Sequence, residues 1–312
     1  MSALRVDGLA VALPDGSRAL SGVSLSIPEG GALGVVGESG AGKTLLLRAV
    51  MGQLPPGVRL VEGSVHLGGT PLAGLSAADW RRVRGARLAH LPQAAAHALN
   101  PMTTVRRQVV ETIRAHRAVS RTDARAEAAA LVASVGLPPR VLDAYPHQLS
   151  GGMAQRAALA TTIAAGPSVL LADEPTASLD PVTRTEIAEL LTSSGRERGM
   201  ALLLVSHDLG FVARACDQVA VLYAGKVVEH GPVREVIGSP LHPYTVGMVA
   251  ALPDPARPRA RLRAVDGVMP PPEDRPEGCP FATRCPLVRP VCAVEPELVG
   301  TGRRVACHVV AG

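Results

Sequence analysis

The sequence predicts an α/β fold organised on a largely parallel sheet. Three observations predict it. Short apolar runs, Leu33-Gly34-Val35-Val36, Ser168-Val169-Leu170-Leu171-Ala172 and Met200-Ala201-Leu202-Leu203-Leu204-Val205, have the length of buried strands rather than helices. Helical stretches separate them, as crossover connections between parallel strands require. Each run also stops at polar residues or glycine, and in an open α/β sheet functional groups gather at the carboxyl ends of the strands.

Bulk properties fit one polypeptide with a large core. The chain has 312 residues, about two domains by length, and 47% are hydrophobic but only 2% aromatic. The core must therefore be built from Ala, Val and Leu. A net charge of +5 is a mild excess that reads as a solvated basic face, with no nucleic-acid partner expected. No apolar run approaches the ~20 residues of a membrane-spanning helix, and the start, Met1-Ser2-Ala3-Leu4-Arg5, lacks the apolar core of a secretion signal. A cytosolic location is expected, where the five cysteines stay reduced.

Taken in order, Leu4-Arg5-Val6, Val11-Ala12-Leu13 and residues 22–27 read as short strands, with turns at Pro14-Asp15-Gly16 and Pro28-Glu29-Gly30-Gly31. They form an antiparallel β layer, joined by a further strand over residues 63–67. A basic segment, residues 80–87, precedes the strand Leu88-Ala89-His90-Leu91, and Gln93 stands at its end. Residues 102–135 read as helical, closed by Gly136-Leu137-Pro138-Pro139. A helix of small residues follows Leu149-Ser150-Gly151-Gly152 and runs to Ala165. The next two strands end in Asp173-Glu174-Pro175 and Ser206-His207-Asp208. Beyond Gly231 the composition shifts, residues 253–276 are dense in Pro and Arg and read as a linker, and four cysteines follow.

The stretch Gly37-Glu38-Ser39-Gly40-Ala41-Gly42-Lys43-Thr44 joins the first buried strand to a helix with the spacing G-x-x-x-x-G-K-[ST]. Backbone N–H groups and the helix N-terminus at such a loop wrap a polyphosphate. Lys43 reaches the β- and γ-phosphates and the Thr44 hydroxyl sits on Mg²⁺. Asp173 closes an apolar strand, where a carboxylate costs energy unless it meets a cation, so it is a second Mg²⁺ candidate. Glu174 beside it is a candidate general base for the attacking water. His207, at the next strand end, can hold water and γ-phosphate in line. Ser150 can cap a helix whose N-terminus presents the Gly151 and Gly152 amides, a ready anion site.

In this order the phosphate loop, Gln93, Leu149-Ser150-Gly151-Gly152, Asp173-Glu174 and His207 resemble the ATP-binding subunit of an ABC transporter, over residues 1–237. Leu99-Asn100-Pro101, Gly151-Gly152-Met153-Ala154-Gln155-Arg156 and His242-Pro243-Tyr244-Thr245 resemble its oligopeptide/dipeptide/nickel importer branch. The resemblance implies a P-loop NTPase fold of the ABC type: a mixed sheet core, an antiparallel β layer and a helical subdomain at about residues 95–165. Residues 238–312 form a C-terminal extension. It implies Gln93 as a further Mg²⁺ or water ligand, Leu13 where relatives stack an aromatic on adenine, and Ser178-Leu179-Asp180 at a seam between two subunits. There the signature of one subunit covers the ATP of the other. Ala94-Ala95 replaces a common Asp-Pro, and Ala154 a more usual Arg.

The implied function is ATP hydrolysis driving import of oligopeptides or dipeptides, or of nickel or another small solute. The partners are membrane permease subunits, a second ATP-binding subunit and, indirectly, an extracytoplasmic solute-binding protein. The chain would lie on the cytoplasmic face of the membrane. A different class, an ABC ATPase acting on DNA or ribosomes, normally carries a second core or a coiled-coil insertion, and neither is present in this sequence.

Cys279, Cys285, Cys292 and Cys307 lack the tight C-x-x-C pairs of zinc ribbons. Four thiols in one short Pro-rich segment could ligate Zn²⁺ or a four-iron cluster, or stand unligated. Resemblance to the importer branch favours a 4Fe-4S cluster. Cys216, in an apolar helical context, reads as core.

Overall fold

Alternation and caps in the sequence become elements as follows in the computed structural model, which describes residues 2–176, 179–252 and 265–310. The two short runs expected at the start are one strand, β1 (Ser2–Ala12), with a register shift between Asp7 and Ala10 that lets one strand accommodate both runs. It is followed by β2 (Arg18–Pro28), β3 (Ala32–Val36), α1 (Lys43–Val50), β4 (Arg59–Leu67) and β5 (Thr70–Pro71). The basic segment is helical, α2 (Ala77–Val83), because Ser76 and Asp79 form a reciprocal capping box. Strand β6 (Leu88–Leu91) comes next.

The helical stretch expected over residues 102–135 is two helices, α3 (Val105–His116) and α4 (Arg121–Ser134). Ser120 caps the second by accepting from the Asp123 N–H, and this local bond restarts the helix where one continuous run was expected. The remaining elements are α5 (Gly151–Ile163), β7 (Val169–Asp173), α6 (Pro181–Arg198), β8 (Ala201–Ser206), α7 (Leu209–Ala215), β9 (Gln218–Tyr223), β10 (Lys226–Pro232), α8 (Val233–Gly238), α9 (Pro243–Ala250) and β11 (Arg304–Val305). The segment 253–264 of the expected linker, and Ser178, lie outside the described residues.

The chain divides into two compact units. One comprises residues 27–31 and 73–204. In it β6 and β7 pair in parallel, Leu88 opposite Val169 and Leu91 opposite Ala172, and every residue of β7 is buried. Helices α3, α4 and α5 pack against one another, and Val109, Ile113, Ala128, Leu131, Ala157 and Leu159 on them are buried. Small residues at these contacts match the aliphatic core expected from the composition.

The other unit comprises residues 2–26, 32–72 and 205–312. It holds the antiparallel layer, ordered β2-β1-β4-β5, and strands ordered β11-β10-β9-β3. Strands β3 and β9 are parallel while β9–β10 and β10–β11 are antiparallel, so the sheet is mixed. The C-terminal residues belong to this unit, and a buried carboxylate fastens them. Glu229 on β10 is fully buried and accepts from Arg303 Nη2 at 2.6 Å, from the Leu241 N–H at 3.1 Å and from the His242 N–H at 2.9 Å. Cys216 is buried, its sulfur lies where a side chain on Gly34 would reach, and burial pushes its thiol pKa far up, as a core cysteine requires.

Breaking one half of a buried, hydrogen-bonded ion pair typically costs about 3–5 kcal/mol. Arg303→Ala is therefore expected to shift the urea midpoint by a change of that order, and an unchanged midpoint would show that Glu229 does not anchor the C-terminal region.

Candidate functional site

The phosphate loop leaves β3 and enters α1 along a path only glycine permits. A Cβ on Gly37 would fall on the Leu222 carbonyl oxygen, and one on Gly42 would lie 2.6 Å from Leu20 Cδ2. Gly42 also has φ +105°, a left-handed conformation that side chains resist. Lys43 is buried and its Nζ donates to the carbonyls of Gly37, at 2.7 Å, and Glu38, at 2.9 Å. Its ammonium is thus held over the loop's own backbone, ready for a polyanion. Ser39, Gly40 and Thr44 are exposed and Ala41 is buried.

The same unit contains His207, exposed after β8. Its neighbour Asp208 caps α7 by accepting from the Phe211 N–H at 2.9 Å. Leu13 is half-buried at the start of a turn closed by its N–H to Ser17 O, 2.9 Å.

The other unit holds the remaining candidates. Asp173 ends β7 and is 5% exposed, so its carboxylate is an expensive group to bury without a cation. Glu174 has φ +45°, a conformation that costs a non-glycine residue of order 1 kcal/mol and persists only where the surroundings impose it. Gln155 on α5 donates to the Pro175 carbonyl at 2.7 Å and so ties the signature helix to the segment after Glu174. Ser150 caps α5 as expected, accepting from the Met153 N–H at 3.3 Å, with Gly151 exposed. A Cβ on Gly152 would meet Thr183 Cγ2 at 3.0 Å, and Asp180 caps α6 through the Val182 and Thr183 N–H groups. Gln93 is exposed at the end of β6, where Ala94 takes a left-handed φ of +55°. Ala154 is buried, which accounts for a small residue there.

Two side chains at the phosphate loop were not among the expected site residues. Tyr244 accepts a hydrogen bond from the Glu38 N–H at 2.8 Å, and Arg284 pairs with the Glu38 carboxylate at 2.9 and 3.1 Å. The His242-Pro243-Tyr244-Thr245 segment was a visible signal for the first. Nothing in the sequence linked Arg284 to Glu38, 246 residues away.

Among the tail cysteines, Cys279, Cys292 and Cys307 are buried and Cys285 half-buried. Burial raises the Cys279 and Cys285 thiols above their ordinary pKa, and neighbouring cysteines raise them further. The Cys279 N–H donates to Cys292 O at 2.9 Å. Nevertheless, among the described residues no group of three or more His, Cys, Asp or Glu stands in an arrangement that could hold a metal ion. The expected iron–sulfur or zinc site is therefore not supported by the geometry. No helix among the described residues is long and apolar enough to cross a membrane.

The family model described as ABC transporter matches residues 20–177, and the model of the oligopeptide/dipeptide transporter C-terminal region matches residues 228–292. The dipeptide transport ATP-binding protein DppD of Escherichia coli is 40% identical over 316 aligned residues, covering 99% of this chain and 97% of that protein. DppD of Haemophilus influenzae is 38% identical, covering 93% and 89%. Among solved structures, cbiO1 of Clostridium perfringens, part of an ABC transporter complex, aligns with a TM-score of 0.69 at 26% identity, covering 76% of this chain and 91% of that one. The dimeric post-hydrolysis ATP-binding cassette MJ0796, bound to ADP and Pi, aligns at 0.65 with 27% identity, covering 74% and 99%.

Since Gly37 has no space for a side chain, Gly37→Ala is expected to lose nucleotide binding, measured by titrating a fluorescent ATP analogue. The same substitution at the exposed Gly238, where nothing lies within 4 Å and the backbone is not left-handed, should leave the titration unchanged.

Proposed function

The chain belongs to the ABC transporter ATPases that carry the oligopeptide/dipeptide transporter C-terminal region, and from that premise we propose how its residues power uptake of peptides. It is the ATP-hydrolysing subunit of a peptide importer, working with membrane permease subunits. The observation that carries this reading is that the likeness to dipeptide transport subunits runs through the C-terminal region as well as the ATPase core.

The division of labour follows the chemistry. The amides of residues 37–44 and Lys43 bind the phosphates of ATP, and Leu13 lies against the base. Thr44 and Asp173 supply the hard oxygen donors that Mg²⁺ prefers, with Gln93 as a further ligand to the ion or the water. Bound Mg²⁺ neutralises charge on the β- and γ-oxygens. Glu174 takes the proton of the attacking water, and His207 orients that water. Two subunits, alike or related, pair so that Ser150, Gly151, Gly152 and Asp180 of one complete the site of the other. The dimeric state of the aligned cassette supports this reading. Residues 1–237 act as the ATPase domain, with its helical part near residues 95–165, and residues 238–312 as the extension. The subunit works at the cytoplasmic face of the membrane, and a solute-binding protein outside delivers the peptide.

The segment after Gln93 is the contact for the permease. Met102 is 80% exposed, and its N–H is fixed by Asn100 Oδ1 at 2.9 Å. Gln108 in turn holds Asn100 through bonds of 2.8 and 3.1 Å. A rigid base presenting a flexible apolar side chain suits a docking helix of another protein.

The finer reading of the tail is that Cys279, Cys285, Cys292 and Cys307 hold a 4Fe-4S cluster, or zinc. Soft sulfur donors in a short segment favour it, as does the Leu287 N–H bonded to the Cys285 sulfur at 3.4 Å. Anaerobic purification with assays for iron, sulfide and zinc tests this reading, and a chain free of all three would end it.

Glu174→Gln is expected to abolish ATP hydrolysis, by 100-fold or more on the order of a lost general base, while ATP binding and pairing persist. Hydrolysis that survives would remove Glu174 from the role. Met102→Glu should uncouple peptide uptake in reconstituted vesicles and spare basal hydrolysis, and uptake at the original rate would move the permease contact elsewhere.

A further inference from the structure

Glu38 sits inside the phosphate loop, and its polar groups are held on three sides. The peptide between Gly37 and Glu38 donates its N–H to Tyr244 Oη at 2.8 Å, and its carbonyl accepts from Lys43 Nζ at 2.7 Å. The next carbonyl, of Glu38 itself, accepts from the same ammonium at 2.9 Å. The Glu38 carboxylate receives both forks of the Arg284 guanidinium. One rigid peptide plane therefore has a tyrosine of the C-terminal region on one edge and the phosphate-binding lysine on the other.

The two C-terminal partners are themselves fixed. Tyr244 is fully buried, and its ring lies 4.6 Å from that of Tyr223 and 5.6 Å from that of Phe281. The Arg284 side chain is 4% exposed. Its Nε donates to Asp266 O at 2.7 Å and its Nη2 to Val265 O at 3.2 Å, while the guanidinium lies 5.7 Å from the Tyr223 ring centre. A fully exposed ion pair would contribute almost nothing, but this one is bidentate and its guanidinium is buried against the Tyr223 ring, while the Glu38 side chain stays 34% exposed. Holding a loop in its binding conformation before the ligand arrives raises affinity by removing the ordering cost.

We propose that Arg284 and Tyr244 are positioning residues of the phosphate-binding loop, acting through Glu38, so that the C-terminal region sets how tightly the loop holds nucleotide phosphates. The proposal rests on the reading of residues 37–44 as the nucleotide loop. Without the clamp the 37–38 peptide is free to turn, and Lys43 follows its two carbonyl acceptors away from the phosphates.

The experiment measures ATP Kd by titration and KM against kcat by steady-state hydrolysis, in the full-length chain with its permease. Arg284→Ala should raise Kd and KM on the order of ten-fold, the effect of removing one partner of a half-buried, bidentate charged pair, with a much smaller change in kcat. Tyr244→Phe, which keeps the ring and loses only the hydroxyl, should shift both the same way by a few-fold, and Arg284→Lys should fall between wild type and Arg284→Ala. In a Glu38→Gln background, Arg284→Ala should add little, because the carboxylate through which it acts is gone. Unchanged Kd in Arg284→Ala and Tyr244→Phe, full additivity with Glu38→Gln, or a fall in kcat at constant KM would each overturn the proposal. Should Arg284→Ala fail to fold, Tyr244→Phe and Arg284→Lys decide the matter. Lys43→Ala separates the two levels: binding that survives it refutes the nucleotide loop itself, whereas binding lost there but intact in the clamp variants refutes only the clamp.

Discussion

Close approach of backbone to backbone at the phosphate loop is the constraint on which this structure depends. The loop passes so near the carbonyl of Leu222 and the side chain of Leu20 that Gly37 and Gly42 have no room for a Cβ. That closeness registers the loop against β9 and β2, and Lys43 Nζ lies over the carbonyls of Gly37 and Glu38. A loop preset in this way spends little of its binding energy on ordering when an anion arrives. The Gly225 N–H bonded to Ala41 O at 3.0 Å adds a further tie between the loop and the end of β9.

Aromatic residues are scarce in this chain, and their distribution says where rigidity is needed. Of three tyrosines and two phenylalanines, Tyr223, Tyr244 and Phe281 gather in one cluster directly behind the phosphate loop. Pairs of rings at such distances contribute about 0.5–1.5 kcal/mol each beyond simple burial. The aliphatic core elsewhere offers volume but no such directionality. His242, in contact with Phe281, is buried neutral with its pKa pushed down to about 4, and caps α9 by accepting from the Tyr244 N–H at 3.1 Å. The residues that make the C-terminal region recognisable are therefore also the ones that join it to the nucleotide loop.

Strain tells a related story in the other unit. Glu174 is held at φ +45° immediately after a fully buried strand, and Gln155 of the signature helix bonds the carbonyl of Pro175 next to it. Such geometry is maintained by neighbours rather than chosen by the residue. The backbone at Glu174, the proposed general base, is thus set by its neighbours.

The sequence by itself determined the strand–loop–helix order, the α/β class, the phosphate loop and the cap at Ser150, because these rest on spacing and local hydrogen bonds within a few residues. It also marked Asp173 and His207, since strand ends are visible as the places where apolar runs stop. It could not divide residues 102–135 into two helices, because Ser120 sits in a pattern that stays helical on both sides. Nor could it join Arg284 to Glu38, Arg303 to Glu229 or Arg275 to the carbonyl of Arg18, each separated by scores of residues or more. Those pairings depend on which buried charge finds which partner once the chain has closed. Only the tertiary structure decides them, because local periodicity carries no information about contacts made through space.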